Sequence, residues 1–154
     1  RGCFDSIWSL NLIEYLPGKF INYLALGNQF TFGNFCVFAD FMNRSLVDKM
    51  SFLRDFTLIG KVTYSFNDRL KVFGKASYDR NDLDEEWDWC VSPGTSIGRV
   101  GCGVEFFPLA DKRVRLHAVL CHTFGDNGNP AGSLLPDSQF LSFGLTWRMS
   151  LLGN

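Results

Sequence analysis

No stretch of this chain approaches the ~18 consecutive apolar residues that a membrane-spanning helix requires. The apolar runs are short pieces such as Ala118-Val119-Leu120-Cys121, none longer than the five residues of Phe35-Cys36-Val37-Phe38-Ala39, so a helical membrane protein is excluded. A surplus of one charge is missing too. Lys and Arg number 15 against 16 Asp and Glu, for a formal net charge of -1, which argues against nucleic acid as a partner because phosphate binding needs a basic surface. The five cysteines, at 3, 36, 90, 102 and 121, contain no C-x-x-C pair. A zinc or redox motif is therefore not expected, and the odd number leaves at least one thiol unpaired in a monomer. Also lacking are an initiator Met and a charged-then-apolar leader; the chain begins Arg1-Gly2-Cys3, as a processed chain or a fragment does.

What the chain has in excess is aromatic. Sixteen of its 154 residues are Phe, aromatics make up 16%, and 46% hydrophobic residues stand beside 20% charged ones. That is too apolar for disorder and long enough for one domain, read as 1–154 with no second domain. The hydrophobic residues alternate. Phe56, Leu58, Gly60, Val62, Tyr64 and Phe66 stand against Thr57, Ile59, Lys61, Thr63 and Ser65, the pattern of a strand with two unlike faces. After Asn67-Asp68-Arg69 the pattern resumes with Leu70, Val72, Gly74, Ala76 and Tyr78 opposed to Lys71, Phe73, Lys75, Ser77 and Asp79. The faces match only if Phe66 opposes Leu70 across a three-residue turn. Residues 96–107, 113–124 and 139–151 read likewise, and 20–32 with 35–43 form a hairpin about Gly33-Asn34. The piece 7–15 is ambiguous, because Leu10, Leu12, Ile13 and Leu16 also suit a short helix before Pro17-Gly18. The expected fold is all-β, an antiparallel up-and-down meander of seven strands and an eighth at 7–15. If the chain is whole, eight strands could just close into a barrel. If it is a fragment, it is a curved open sheet with unpaired first and last strands.

Connection lengths alternate as well. Turns at 33–34, 67–69 and 108–112 are short, whereas those at 44–54, 80–95 and 125–138 are long. A transmembrane β-barrel has this asymmetry, with short periplasmic turns and long extracellular loops. On the apolar face, Phe32, Phe35, Phe66, Phe106 and Trp147 gather near the short-turn end and Phe41, Phe56, Tyr78 and Phe124 near the long-loop end, with Leu, Val, Ala and Gly between. Two aromatic girdles around an apolar band are the mark of a lipid-facing surface. A soluble lipocalin-like ligand-binding barrel, the rival architecture, turns its apolar face inward and has no use for sorted rims.

With lipid on one face, the other lines a lumen. Its charges read as Lys61, Lys71, Lys75, Arg99, Arg113, Arg115 and Arg148 against Asp40 and Glu105, while Asp82, Asp84, Glu85, Glu86 and Asp88 sit in a long loop. Rings of Lys and Arg line anion and phosphate pores. Lys61 directly opposite Lys75 is a like-charge pair that costs stability unless an anion or a carboxylate relieves it. The expected function is passive diffusion of small, phosphate-like anions. The alternative is a non-conducting barrel, filled by neutralised Arg and Glu networks, that anchors extracellular binding loops; pairing Phe106 with Val114 would set Glu105 opposite Arg115 as a structural ion pair. His117 has no second ligand at metal-binding spacing, and Ser142 has no orienting third residue. No enzyme activity, metal or cofactor is expected.

Several short motifs carry a family resemblance. Phe52-Leu53-Arg54-Asp55-Phe56, Ile59-Gly60-Lys61, Val72-Phe73-Gly74-Lys75 and Tyr78-Asp79-Arg80-Asn81 are followed by Cys90-Val91-Ser92-Pro93-Gly94-Thr95 and Gly103-Val104-Glu105-Phe106-Phe107-Pro108. Arg115-Leu116-His117-Ala118 and Gly144-Leu145-Thr146-Trp147-Arg148 complete the series. In order and spacing they resemble the C-terminal half of the phosphate-selective porin O and P family, over roughly residues 30–150. The resemblance implies a homotrimeric porin of about 16 strands in the outer membrane of a Gram-negative bacterium. In such a porin Lys61, Lys75, Arg115 and Arg148 would belong to ladders guiding phosphate-like anions, and this chain would supply the last seven or eight strands. The chain departs from the pattern at Leu151-Leu152-Gly153-Asn154, which lacks a final aromatic residue.

Overall fold

The computed structural model describes residues 2–46, 53–81, 94–126 and 138–148. They form eight strands: β1 (Gly2–Leu16), β2 (Lys19–Phe32), β3 (Phe35–Leu46), β4 (Asp55–Ser65), β5 (Leu70–Asn81), β6 (Thr95–Phe106), β7 (Val114–Asp126) and β8 (Gln139–Trp147). Each pairs antiparallel with its neighbour in sequence, in one sheet ordered β1 to β8. The all-β meander is therefore as expected, and no helix occurs among the described residues. β1 and β8 do not pair with each other, so the sheet is open rather than closed into a barrel.

The ambiguous piece 7–15 is a strand. It lies within β1, whose register runs from Gly2↔Phe32 to Leu16↔Lys19 with one irregularity between Glu14 and Leu16. The adjacent Leu12 and Ile13 that suggest a helix fall on opposite faces of the ladder, Leu12 opposite Asn22 and Ile13 opposite Ile21. The Pro17-Gly18 turn that follows is on the same side as the long connections, so the short-and-long alternation holds only from β2 onward. Gly18 takes a φ of +75°, a left-handed conformation that glycine reaches without steric cost.

The turns set the register. Phe66 N–H donates to Leu70 O at 3.0 Å, and Asn67 Oδ1 accepts from the backbone N–H groups of both Arg69 and Leu70 at 2.8 Å. This Asx arrangement holds Phe66 opposite Leu70, which places Lys61 opposite Lys75 as the alternation requires. Between β6 and β7 the register departs from expectation. Phe106 pairs with Leu116 rather than Val114, and Glu105 therefore faces His117 rather than Arg115. Residues 107–113 make a turn of their own, in which Lys112 N–H donates to Leu109 O and Lys112 adopts a φ of +56°. Pro108 at its start has no N–H for the ladder, so the strand resumes later than a minimal turn allows. In the same turn the Arg113 backbone N–H and guanidinium hold the Asp111 carboxyl below the usual carboxylate range.

The two faces differ in burial, in an unexpected sense. Ile97 is fully buried, and Ile21, Phe73, Val119 and Cys121 are nearly so, together with Asp55, Asp79, Asn81, Glu105 and Thr123. These share the parity of Lys61, the face richer in charge; Asn43 and Ser45, at the end of β3, are buried on the other parity, and on β1 Ile7 is exposed on the Lys61 parity. The apolar parity is open: Trp8 is 71% exposed, Phe143 74% and Trp147 64%. A flat single sheet would expose both faces alike, so the asymmetry means that the sheet bends about its polar side. Glycine assists the bend. A Cβ at Gly103 would lie 2.5 Å from the Phe73 ring and 2.6 Å from Ala118 O, so side chain and backbone close over that position.

Candidate functional site

The outward face carries two aromatic rows. Near the long-connection end Phe41 and Phe56 have ring centroids 6.3 Å apart, and Phe56 and Tyr78 5.9 Å. The Phe124 ring then covers Gly98, the register partner of Tyr78 and of Phe124 itself, so an aromatic fills the space a glycine leaves in the ladder. Tyr78 Oη and Ser96 Oγ share a hydrogen bond of 2.7 Å at that rim. Near the short-turn end, Phe35 and Tyr64 lie 4.8 Å apart and Tyr64 meets Phe66 edge-on at 5.0 Å. Between the rows stand Leu58, Gly60, Val62, Gly74, Ala76, Val100, Cys102 and Leu120, without a charge among them; the polar residues in the same band are Ser6 and Asn28, hydrogen-bonded to each other at 2.9 Å, His122, which interrupts the apolar side, and Gln139. Such a surface has no stabilising contact to offer water, and an exposed apolar area of this continuity marks a contact surface.

The inward face is a network of ion pairs. Lys61 Nζ reaches across the neighbouring strand to Glu105 Oε1 at 3.0 Å and lies 4.2 Å from the centroid of the Phe73 ring. The same carboxylate oxygen is 3.8 Å from Arg115 Nη1, and Arg115 also donates to Thr146 Oγ1 at 3.1 Å. Arg115 therefore meets Glu105 diagonally although the two are not register partners. Arg99 pairs with Asp79, which also accepts from Thr57 Oγ1 at 2.8 Å. Arg44 pairs with Asp55 at 2.5 Å. Lys61 and Lys75 are thus relieved of their mutual repulsion by a carboxylate: Lys61 turns away to Glu105.

The remaining sequence-expected cations sit differently. Lys71 lies directly opposite Glu105 and has no ion pair among the described residues, its Nζ 5.6 Å from the Phe107 ring centroid. Arg113 pairs with Asp111 in the β6–β7 turn, and Arg148, exposed just past β8, donates its backbone N–H to Arg113 O. Lys75 is exposed and has no ion pair among the described residues. The His117 ring covers Gly144, and no hydrogen bond joins it to Ser142. The acidic residues of 82–88 and Cys90 lie outside the described residues.

Parity in the sequence places Arg44, Asp55 and Asp79 on this face too: Asp79 already stands on it in the alternation from Leu70 to Asp79 but is missing from the charge count, and Arg44 and Asp55 lie at the ends of β3 and β4. Two carboxylates against seven cations is therefore the wrong ledger: Asp55 and Asp79 add to Asp40 and Glu105, and Asp5 joins them from β1. Asp5 and Asp40 border a pocket of about 660 Å³ over β1 to β3 with Ser9, Gly27 and Gln29. The uncovered acids thus collect on one side of the face and the cations on the other, from β4 to β8. Among the described residues no His, Cys, Asp or Glu cluster could hold a metal ion. Compared with protein-family models, curated proteins and solved structures, the chain matches none.

Proposed function

We propose that this chain forms part of an outer-membrane β-barrel of the phosphate-selective porin O and P kind, whose lumen admits small anions by passive diffusion. The observation that carries the reading is the inversion of burial: the apolar face, unbroken at mid-band across β4 to β6, is the exposed one, bounded by aromatic rows, while ion pairs fill the opposite side. Lipid is the solvent in which such a sheet gains rather than loses by its exposed surface. The same inversion speaks against a soluble lipocalin-like barrel, which needs its apolar face on the concave side. Both free edges, β1 and β8, then pair with further strands to close the wall, since an open sheet edge has no place in hydrocarbon. The trimer and the Gram-negative outer membrane follow from the motif resemblance.

One observation favours a second reading. Glu105, Asp79 and Asp55 tie off Lys61, Arg115, Arg99 and Arg44, and a lumen so neutralised also suits a plugged barrel that anchors long loops. Planar-bilayer recording of the intact protein separates the two: an anion-selective conductance in a potassium chloride gradient is the expected result, and a bilayer that stays sealed after insertion would favour the anchor.

A further inference from the structure

We propose that the inward pocket over β1 to β3 binds a linear diamine, with Asp40 and Asp5 each taking one ammonium group. In the register, Asp5, Gln29 and Phe38 lie in one cross-strand row and Ile7, Gly27 and Asp40 in the next. Gly27, with Ala25 beyond it, leaves the floor of the pocket of about 660 Å³ without bulk. Asp40 leans into that space, its Oδ1 lying 2.7 Å from where a Cβ on Gly27 would stand. The other inward carboxylates show what Asp40 and Asp5 lack. Among the described residues Asp55 holds Arg44, Asp79 holds Arg99, and Glu105 holds Lys61 with Arg115 nearby, whereas neither Asp5 nor Asp40 has an ion pair. Asp5 accepts only from the Cys3 thiol, at 3.6 Å. The wall does not bring a cation to Asp40. Its diagonal neighbour Lys61 is committed to Glu105, and a strand added at the free β1 edge would stand three strand spacings, or about 14 Å, from β3. The matching charge therefore comes from a mobile cation. Asp5 and Asp40 are two strands and two residues apart, about 12 Å between Cα atoms, and the lean of Asp40 over Gly27 shortens that span. The path between them passes beside Gly27, where no side chain blocks a methylene chain, and Ile7 and Phe38 flank it with apolar surface. Two carboxylates with an apolar path between them match a dication that carries its charges at its ends.

Isothermal titration calorimetry on the intact protein in detergent micelles at low salt tests this, with putrescine as the diamine and butylamine as its one-ended analogue. Putrescine should bind at least about tenfold more tightly than butylamine, because it makes a second charge-assisted contact, and its affinity should fall as salt is added. Asp40→Asn should weaken putrescine by about tenfold or more. Asp5→Asn should bring putrescine down to the affinity of butylamine and leave butylamine unchanged. Gly27→Leu, which fills the floor, should abolish binding of both, and Asp68→Asn, in the exposed β4–β5 turn, should change neither. The inference is overturned if the parent binds putrescine no more tightly than butylamine, or if Asp40→Asn and Asp5→Asn bind putrescine as the parent does. A parent that binds neither amine overturns it as well, and assigns the two carboxylates to cations from another part of the protein. Both Asn substitutions are isosteric and break no ion pair among the described residues, and urea unfolding at the parental midpoint checks that each variant is folded. Calorimetry needs no conductance, so a protein that binds putrescine yet leaves bilayers sealed sinks the anion-pore reading and leaves the diamine site standing.

Discussion

Gly60 offers a substitution whose sign depends on the solvent of the outward face. It sits on β4 midway between the aromatic rows, with Phe56 toward one end and Tyr64 toward the other, and pairs with Ala39 and Ala76. At about 3.3 Å per residue each rim is roughly 13 Å away along the strand, or about 10 Å along the membrane normal at a tilt of ~40°. Gly60 is thus at the centre of the band. A Cβ built there meets nothing within 4 Å, and its φ is not in the left-handed region, so a side chain enters without strain. In water, replacing a strand glycine with any ordinary residue is neutral or stabilises by about 0.5–1 kcal/mol, because the unfolded chain loses freedom. In hydrocarbon, an arginine at mid-depth costs about 2–4 kcal/mol. Gly60→Arg should therefore destabilise the vesicle-embedded protein by about 1–3 kcal/mol, a roughly five- to 150-fold change in its folding equilibrium, while Gly60→Leu stabilises it. Urea unfolding in lipid vesicles, followed by tryptophan fluorescence, reads both. An arginine variant as stable as the parent would mean that the outward face meets water, and the lipid assignment would have to be abandoned.

Three further outcomes follow from the inward face and from the face assignment. Gly103→Ala forces a methyl against Phe73 and the Ala118 carbonyl and should cost about 1–3 kcal/mol in the same unfolding assay, as overpacking does; a neutral result would show that β6 and β7 are not drawn together there. Arg44→Ala leaves the buried Asp55 without its cation and should cost about 3–5 kcal/mol, with the Arg44→Ala and Asp55→Ala double variant less damaged than the single one. Cys102 faces outward in the band, and Cys121 is buried on the inward side; in vesicles a lipid-soluble maleimide should label Cys102 first, and ready labelling of Cys102 by an impermeant charged reagent would invert the faces.

The alternation from Phe56 to Tyr78 determined by itself which residues share a face, because a strand's side chains repeat every two residues and a tight hairpin admits only one register that keeps both faces matched. Hence Lys61 opposite Lys75, Cys102 and Cys121 on opposite faces, and the two aromatic rows could be read from the chain alone. The β6–β7 register could not, because residues 107–113 form a turn whose length depends on its own hydrogen bond and on the left-handed Lys112. For β1 the doublet Leu12-Ile13 is compatible with either period, and only a paired neighbour decides between them. The open edges and the direction of the bend belong to the assembled sheet. So does the charge balance: Glu105 reaches Lys61 across an intervening strand, and Arg115 by a diagonal. Long side chains choose partners by distance in the curved sheet, and sequence parity fixes only the side on which those partners stand.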